Sequence, residues 1–598
     1  MILKALYDYY NRNSRELAPL HLSYEEYFFA IVIDSNGNFL RIEDLRTNEG
    51  NGTCILTLRP EERTSAPIPH FLGDKGSYVL GLNNIKITDD FDYKKEYNEN
   101  SKNHNSFVSY INDLQKNNSY NETLKAIKLF YDNDLCCLYE KLHSTPIWKE
   151  LVGYLGKNIT FRLNGSMHLA VEEESLFREV ISSKVNENGK QICLITGNKT
   201  QPVSNTYSSF ILGGKSNGKL VSFQIKSGYD SYGKNSCLNS PISEEAEFKY
   251  TTALLYLLRK GSNNKFVIGS QKNKTVRTFL FWASSNSEAA KKSEDSLFAL
   301  LGKAEDDNDD PNRRIELVRR TFMSVYNGTL PTNKDDKFFI LGLAPNSARI
   351  AVVYWNELPL REFAGLIIRH FADMEIVDTR KDKKPYVGLH SILGNVTLGG
   401  KSSDATPNLP DAVVKSIFHG LPYPASLFQA CIRRIRAEVA LERNGKKIDP
   451  VNIVRAAIIK GYLNRLNDNN NNKKLDIMLD KGNQNQGYLC GRLFAVLDKI
   501  QEDANNIHSI RERYMNAASS TPATVFATIL NLSAHHLEKL NEGKQVFYEK
   551  LKQEIISKLD VDGFPAHLDL QDQGRFFVGY YHQRQAFFMG KENKETEE

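Results

Sequence analysis

The sequence predicts a multidomain α+β chain, with a mixed α/β N-terminal body over residues 1–400 and an all-α helical-bundle C-terminal domain over residues 401–598. Three observations predict it. The chain is 598 residues long, more than one hydrophobic core ordinarily serves. Its first part alternates period-two apolar runs with helical ones, the pattern of mixed layers. From about residue 411 the helical period is almost unbroken, with short polar connections.

Taken in order, residues 1–90 read as a helix followed by strands. In YFFAIVIDSNGNFLRIEDL the apolar alternation is clear, and Asn36-Gly37 between two extended runs is a hairpin signal. Residues 92–106, rich in Asn, Lys and Glu, read as a solvated linker. Short strands follow at FRLNG (161–165), QICLITG (191–197), LVSFQI (220–225) and RTFLFWA (277–283). EEAEFKYTTALLYLLRKG has helical spacing and closes on Gly261. Residues 300–312 form an acidic surface loop, and KFFILGLAP (337–345) and ARIAVVYW (348–355) read as buried strands before the amphipathic LREFAGLIIRHFADM. After the Gly-Ser stretch 394–410 come the bundle helices, with Asp449-Pro450 and Thr521-Pro522 as openings. The polar run NDNNNN (467–472) sets off a terminal part, 478–598.

The bulk numbers exclude several classes. An apolar fraction of 41% and a charged fraction of 25% are those of an ordinary globular chain. No apolar run has the length of a membrane span, and the N-terminus lacks a signal-peptide layout, so a cytoplasmic location is expected. Seven scattered cysteines show no zinc-knuckle spacing and read as reduced thiols. The full Gly-x4-Gly-Lys-Ser/Thr phosphate loop and the paired-histidine metal helix are both missing. Adjacent His535 and His536 point about 100° apart on a helix and do not chelate one ion as an i, i+4 pair would. Asp306, Asp307, Asp309 and Asp310 lack the alternation and closing Glu of a calcium loop. No catalytic residue, metal or cofactor is expected.

With 77 basic against 72 acidic residues the net charge is only +5, so nucleic-acid contacts would have to be local. Two regions fit. The segment 213–241 combines glycines with Lys215, Lys219, Lys226 and Lys234, and adds Tyr229 and Asn235 for stacking and hydrogen bonding; such a mix suits a phosphate-sugar surface, and equally a solvated polar loop. From Lys401 through Arg465 there are 11 Lys and Arg against 5 Asp and Glu. The helix read over 427–443 sets Arg433, Arg436 and Arg443 toward one side, and the next adds Arg455, Lys460 and Arg465, a track for strand backbone or for acidic neighbours.

Several long blocks, in order, resemble one family. They are RTSAPIPHFLGDKGSYVLGL (63–82), CLITGN (193–198), LVSFQIKSGYDSYGKNSCLNSPISEEAEFKYTTALLYLL, ILGLAPNSARIAVVYW (340–355), and GYLCGRLFAVLDKIQEDA through RERYMNAASSTPATVF to GRFFVGYYHQRQAFF. The chain is similar throughout to the large subunit of the type I-C CRISPR Cascade effector. The resemblance implies a non-catalytic subunit of an RNA-guided surveillance complex in antiviral defence. It would read the protospacer-adjacent motif (PAM) in double-stranded DNA, aid duplex opening, stabilise the R-loop's displaced strand and recruit the helicase-nuclease. Implied partners are the crRNA, the backbone and guide-handle-binding subunits, and a small subunit made from an internal start, for which Met478 is the candidate because Met515 falls inside a helix.

On that resemblance Arg63, Thr64, Ser65, His70 and Lys75 form one motif-reading set, and Lys215, Lys219, Lys226, Tyr229, Lys234 and Asn235 a second. Arg433, Arg436, Arg455, Lys460, Arg465, Arg511 and Arg513 would hold strand backbone. The family pattern carries Asn where this chain has His70 and Lys75. Lysine donates from a flexible point charge while asparagine both donates and accepts, so the motif bases and the groove stay open. Two other classes compete: a metal-dependent nuclease, separated by cleavage assays with and without chelator, and a scaffold without DNA contact, separated by nuclease treatment of a pull-down.

Overall fold

The computed structural model describes every residue except 64–65, 84–92, 134, 183–190, 224–232, 271–275, 302–310, 381–386, 444–445, 448, 468–473 and 590–598. The chain divides into two compact units. The first comprises chiefly residues 3–209 and 219–256, the second 210–218 and 257–598. The change from mixed to all-helical structure at about residue 400 falls inside the second unit, whose single hydrophobic cluster runs from Phe266 to Tyr581.

In the first unit, helix α1 (Ile2–Arg12) precedes strands β1 (Leu22–Ile33), β2 (Phe39–Asp44), β3 (Thr53–Leu58), β4 (Gly73–Lys75) and, later, β5 (Asn158–Leu163). The sheet runs β2-β1-β5-β4. The first half of β1 pairs with β3 and the second half with β2, both antiparallel, while β5 lies parallel to β1. Gly37 turns the β1–β2 hairpin at φ +78°, in the left-handed region that Asn-Gly favours. Between β4 and β5 come α2 (Gly76–Val79), α3 (Tyr93–Asn117), α4 (Glu122–Asp132), α5 (Leu135–His143) and α6 (Trp148–Gly153). Helix α3 corrects the expected linker at 92–106. Phe107, Ile111 and Leu114 anchor its second half in the core, while buried Asn100 and His104 and the core-packed Tyr97 hold its first half. Then follow α7 (Glu174–Ser182), the short pair β6 (Gln191–Ile192) and β7 (Lys199–Thr200), and α8 (Glu244–Leu258). Of the strand expected at 220–225, residues 220–223 are irregular and the rest lies outside the described residues.

The second unit opens with an antiparallel sheet, ordered β11-β10-β9-β8, of β8 (Lys265–Ile268), β9 (Arg277–Ala283), β10 (Lys337–Asn346) and β11 (Arg349–Pro359). Helices α9 (Glu288–Leu301), α10 (Pro311–Asn327) and α11 (Leu360–Met374) join it, with Phe338 of β10 stacked on Phe363 of α11 at 4.3 Å between centroids. The acidic loop expected at 300–312 lies almost wholly outside the described residues. The rest is helical: α12 (Leu389–Asn395), α13 (Leu409–His419), α14 (Ala425–Ala437), the two-residue strands β12 (Glu442–Arg443) and β13 (Lys446–Lys447), α15 (Ile453–Leu466), α16 (Gln486–Asn505), α17 (Ser509–Ala518), α18 (Phe526–Leu537), α19 (Glu542–Ile556) and α20 (Leu570–Ala586). Helix α15 begins three residues later than Asp449-Pro450 suggests, because Asn452 supplies the cap to the Arg455 N–H. Helix α14 stops at Ala437, so Arg443 is not on it. Helix α20 packs against both α15 and α16.

Candidate nucleic-acid interface

In the first unit the loop from Arg63 to Lys75 is organised by an acid. Asp74, on β4, is fully buried. Its carboxylate accepts the His70 N–H at 3.0 Å, the Lys75 N–H at 2.7 Å and the Arg63 guanidinium. Arg63 also donates from Nε to the Ile68 carbonyl at 2.8 Å and lies 4.0 Å over the Tyr78 ring. Its charge is therefore spent inside the loop. The His70 ring stands 3.8 Å from Asp74, yet burial pushes its pKa down to about 4, so it is neutral near pH 7. Lys75 alone of the described members of this set points an exposed side chain outward.

The second set meets the first at Glu62. Its carboxylate accepts the Ser208 N–H at 2.7 Å and stands 3.3 Å from Lys219 Nζ, which also donates to the Thr206 carbonyl. Lys219 thus serves as a strut between segments. Lys234 and Asn235 are exposed beside the short turn Ser236–Asn239, with the Lys234 carbonyl accepting from Asn239 at 2.9 Å. Lys215 is exposed in a turn that falls with the second unit. Thr64, Ser65, Lys226 and Tyr229 lie outside the described residues.

In the helical part, the basic track read from sequence is mostly internal. Arg455 is buried, pairing with Glu438 at 2.6 Å and donating to the carbonyls of Asn395 and Pro450 at 2.9 Å each. Buried Lys460 donates to the Asp373 carbonyl at 3.1 Å, at the end of α11, and burial lowers its pKa. Arg465 is buried on Asp373 at 2.6 Å with its guanidinium 4.1 Å over Tyr423. Buried Arg511 faces Asp449 at 3.7 Å. These four do not present their charge to the outside: Arg455, Lys460 and Arg465 each offset an acid or cap carbonyls that burial would otherwise leave unpaired, and Arg511 faces the half-buried Asp449. Arg433 and Arg513 are exposed, and half-buried Arg436 donates to Gln573 at 3.0 Å. Asn516 of α17 donates to the Arg436 carbonyl at 3.3 Å, so the helix turns that carry Arg433, Arg436 and Arg513 adjoin.

A family model described as CRISPR-associated protein (Cas_Csd1) matches residues 6–588. The chain belongs to that family. As a Csd1-type large subunit it is a CRISPR-associated component of Cascade and a member of a CRISPR effector complex. No curated protein matches the chain. Among the described residues no helix is long and apolar enough to cross a membrane.

For this Csd1-type subunit, sequence reading missed the residues that shape the loops. Asp74 and Glu62 are two of them. Arg59 is a third: it lies 3.7 Å over Tyr207 and 5.0 Å from Phe248, pairs with buried Glu247 at 3.2 Å and donates to Thr251 at 2.8 Å. Burial raises the Glu247 pKa against the pull of Arg59. Arg59, Glu62, Tyr207 and Glu247 border a cleft of about 480 Å³ within the first unit. The signal available in sequence was an acid directly ahead of two of the basic candidates: Glu62 before Arg63, and Asp74 before Lys75.

Proposed function

We propose that this chain is the non-catalytic large subunit of a type I-C CRISPR complex and acts in the cytoplasm. In this reading it recognises the protospacer-adjacent motif in double-stranded DNA, aids duplex opening, holds the displaced strand of the R-loop and recruits the helicase-nuclease. The observation that carries it is the Glu62–Lys219 contact, which joins the two segments read as motif-recognising while Lys75, Lys234 and Asn235 keep exposed side chains. A lysine and an amide held on braced loops suit contacts with base edges and adjacent phosphates. Arg433 and Arg513, exposed on adjoining helix turns, are the basic pair for strand backbone, where each neutralised phosphate releases counterions. A small subunit started at Met478 completes the reading, with the crRNA and the backbone subunits supplying the remaining binding surface.

The test uses the assembled complex with its guide RNA. Lys75→Ala is expected to cost about tenfold in affinity for motif-bearing duplex and little for motif-less duplex, the size of one lost base contact. Arg433→Glu with Arg513→Glu is expected to weaken both duplexes alike and to flatten the slope of log affinity against log salt by roughly two phosphates' worth. Unchanged affinities and slope in both variants would remove the proposal.

A further inference from the structure

A carboxylate taken wholly out of water is costly unless its lone pairs are all used, and even a well-made buried ion pair adds little net stability. Asp74 carries that cost at the heart of the 63–75 loop, and its donors come from both ends of the same loop. Arg63 binds it from the start, the His70 N–H from the middle and the Lys75 N–H from the end. Residues 67 and 68 are braced beside this anion. Arg63 reaches back to the Ile68 carbonyl and lies on Tyr78 of α2, and Ser106 of α3 donates to the Pro67 carbonyl at 2.9 Å. Pro67 and Pro69 restrict the backbone between. One Asp74 oxygen fixes the Lys75 peptide, while β4–β5 pairing sets Lys75 opposite Asn158. The direction in which the Lys75 side chain leaves the surface is set from both sides.

We propose that Asp74 is the positioning residue of this loop: by holding Arg63, His70 and Lys75 on one buried carboxylate, it orients Lys75 toward DNA. The role rests on the DNA reading above. Asp74→Asn keeps the shape, but it removes the charge opposite Arg63 and turns an amide N–H₂ toward a backbone donor.

The experiment takes the full chain in the assembled complex, as wild type, Asp74→Asn, Asp74→Glu and Arg63→Lys. It measures affinity for duplexes with and without the motif, and amide hydrogen exchange over residues 66–75. The expected result for Asp74→Asn is a fall of about tenfold in the motif preference, unchanged affinity and salt slope on motif-less duplex, and faster exchange confined to the loop. Asp74→Glu is expected to restore part of the preference. If Asp74→Asn exchanges throughout the first unit, the Arg63→Lys variant, which weakens the same clamp from its less buried side, is read by the same criteria. Loop exchange like that of wild type, or equal losses on both duplexes, overturns the positioning role. A wild-type complex with no motif preference overturns the DNA reading and this role together.

Discussion

His370 shows how one side chain sets a pH dependence. Its Nε2 faces the Val387 carbonyl at 3.0 Å, and its Nδ1 lies 2.7 Å from the Tyr423 hydroxyl. A carbonyl can only accept, so Nε2 carries the proton and Nδ1 accepts from the tyrosine. Full burial, opposed in part by the Val387 bond, pushes the pKa down to about 4 from an ordinary 6.5. Above pH 6.5 the ring is neutral folded or unfolded and costs nothing. As pH falls from 6.5 toward 4 the unfolded chain binds a proton that the folded chain refuses, and stability is lost through that window. One such histidine accounts for about 2 kcal/mol at pH 5. His582, lowered to about 3 by burial, works in the same direction. His370→Gln is therefore expected to show a smaller loss of urea resistance between pH 7 and pH 5 than wild type; an equal loss would place the acid sensitivity elsewhere. The same burial logic explains why the basic track was only partly legible. Residue type and spacing marked Arg433, Arg436, Arg455, Lys460 and Arg465 alike. Which of them turn inward depends on acids far along the chain, such as Asp373 for Arg465.

At the scale of elements, α16 and α20 cross so closely that three positions of their contact admit glycine alone. A Cβ on Gly491 would stand 2.0 Å from the Phe576 carbonyl oxygen, one on Gly579 2.3 Å from that of Tyr488, and one on Gly487 2.4 Å from that of Asp572. Each clash is with backbone, which cannot swing aside. In an open helix Gly→Ala gains about 1 kcal/mol. Here Gly491→Ala is expected to lose about 1–3 kcal/mol, the usual cost of overpacking, seen as a lower urea midpoint; a gain would mean that the helices separate freely. The helices themselves were legible, as were the β1–β2 hairpin and the β10–β11–α11 sequence, because apolar period and turn residues are local signals. The four-residue spacing of Gly487 and Gly491 was equally visible, but its meaning lies in α20, some eighty residues on. Helix α3 was misread for a related reason: its polar first half carries little apolar period, and what holds it is the burial of Asn100 and His104 together with the core contacts of Phe107 and Ile111.

At the scale of the molecule, each unit has its own apolar cluster, from Tyr27 to Phe177 in one and from Phe266 to Tyr581 in the other. The terminal helices α16–α20 are a subset of the second. Met478 lies exposed ahead of α16, whose cap is Asn485, whereas Met515 sits buried within α17. A product begun at Met478 keeps the glycine contact of α16 with α20 and leaves behind α15 and Asp449, the partner of Arg511 and Arg584. Met478→Leu, at an exposed position, is expected to abolish a short C-terminal product detected through a C-terminal tag without lowering the yield of the full chain; a persistent product would place the start elsewhere.

Helix α20 is the last element among the described residues and lies against both α15 and α16. A ribosome therefore finishes this part of the second unit's core only once residues 570–586 have been made. While residues 453–505 are already outside the exit tunnel, the apolar faces meant for Phe576, Phe577 and Tyr580 wait uncovered, the condition in which nascent chains aggregate or engage chaperones. A premature stop just ahead of α20 thus takes away the keystone of helices made before it, and such truncated chains are expected among the insoluble products of synthesis.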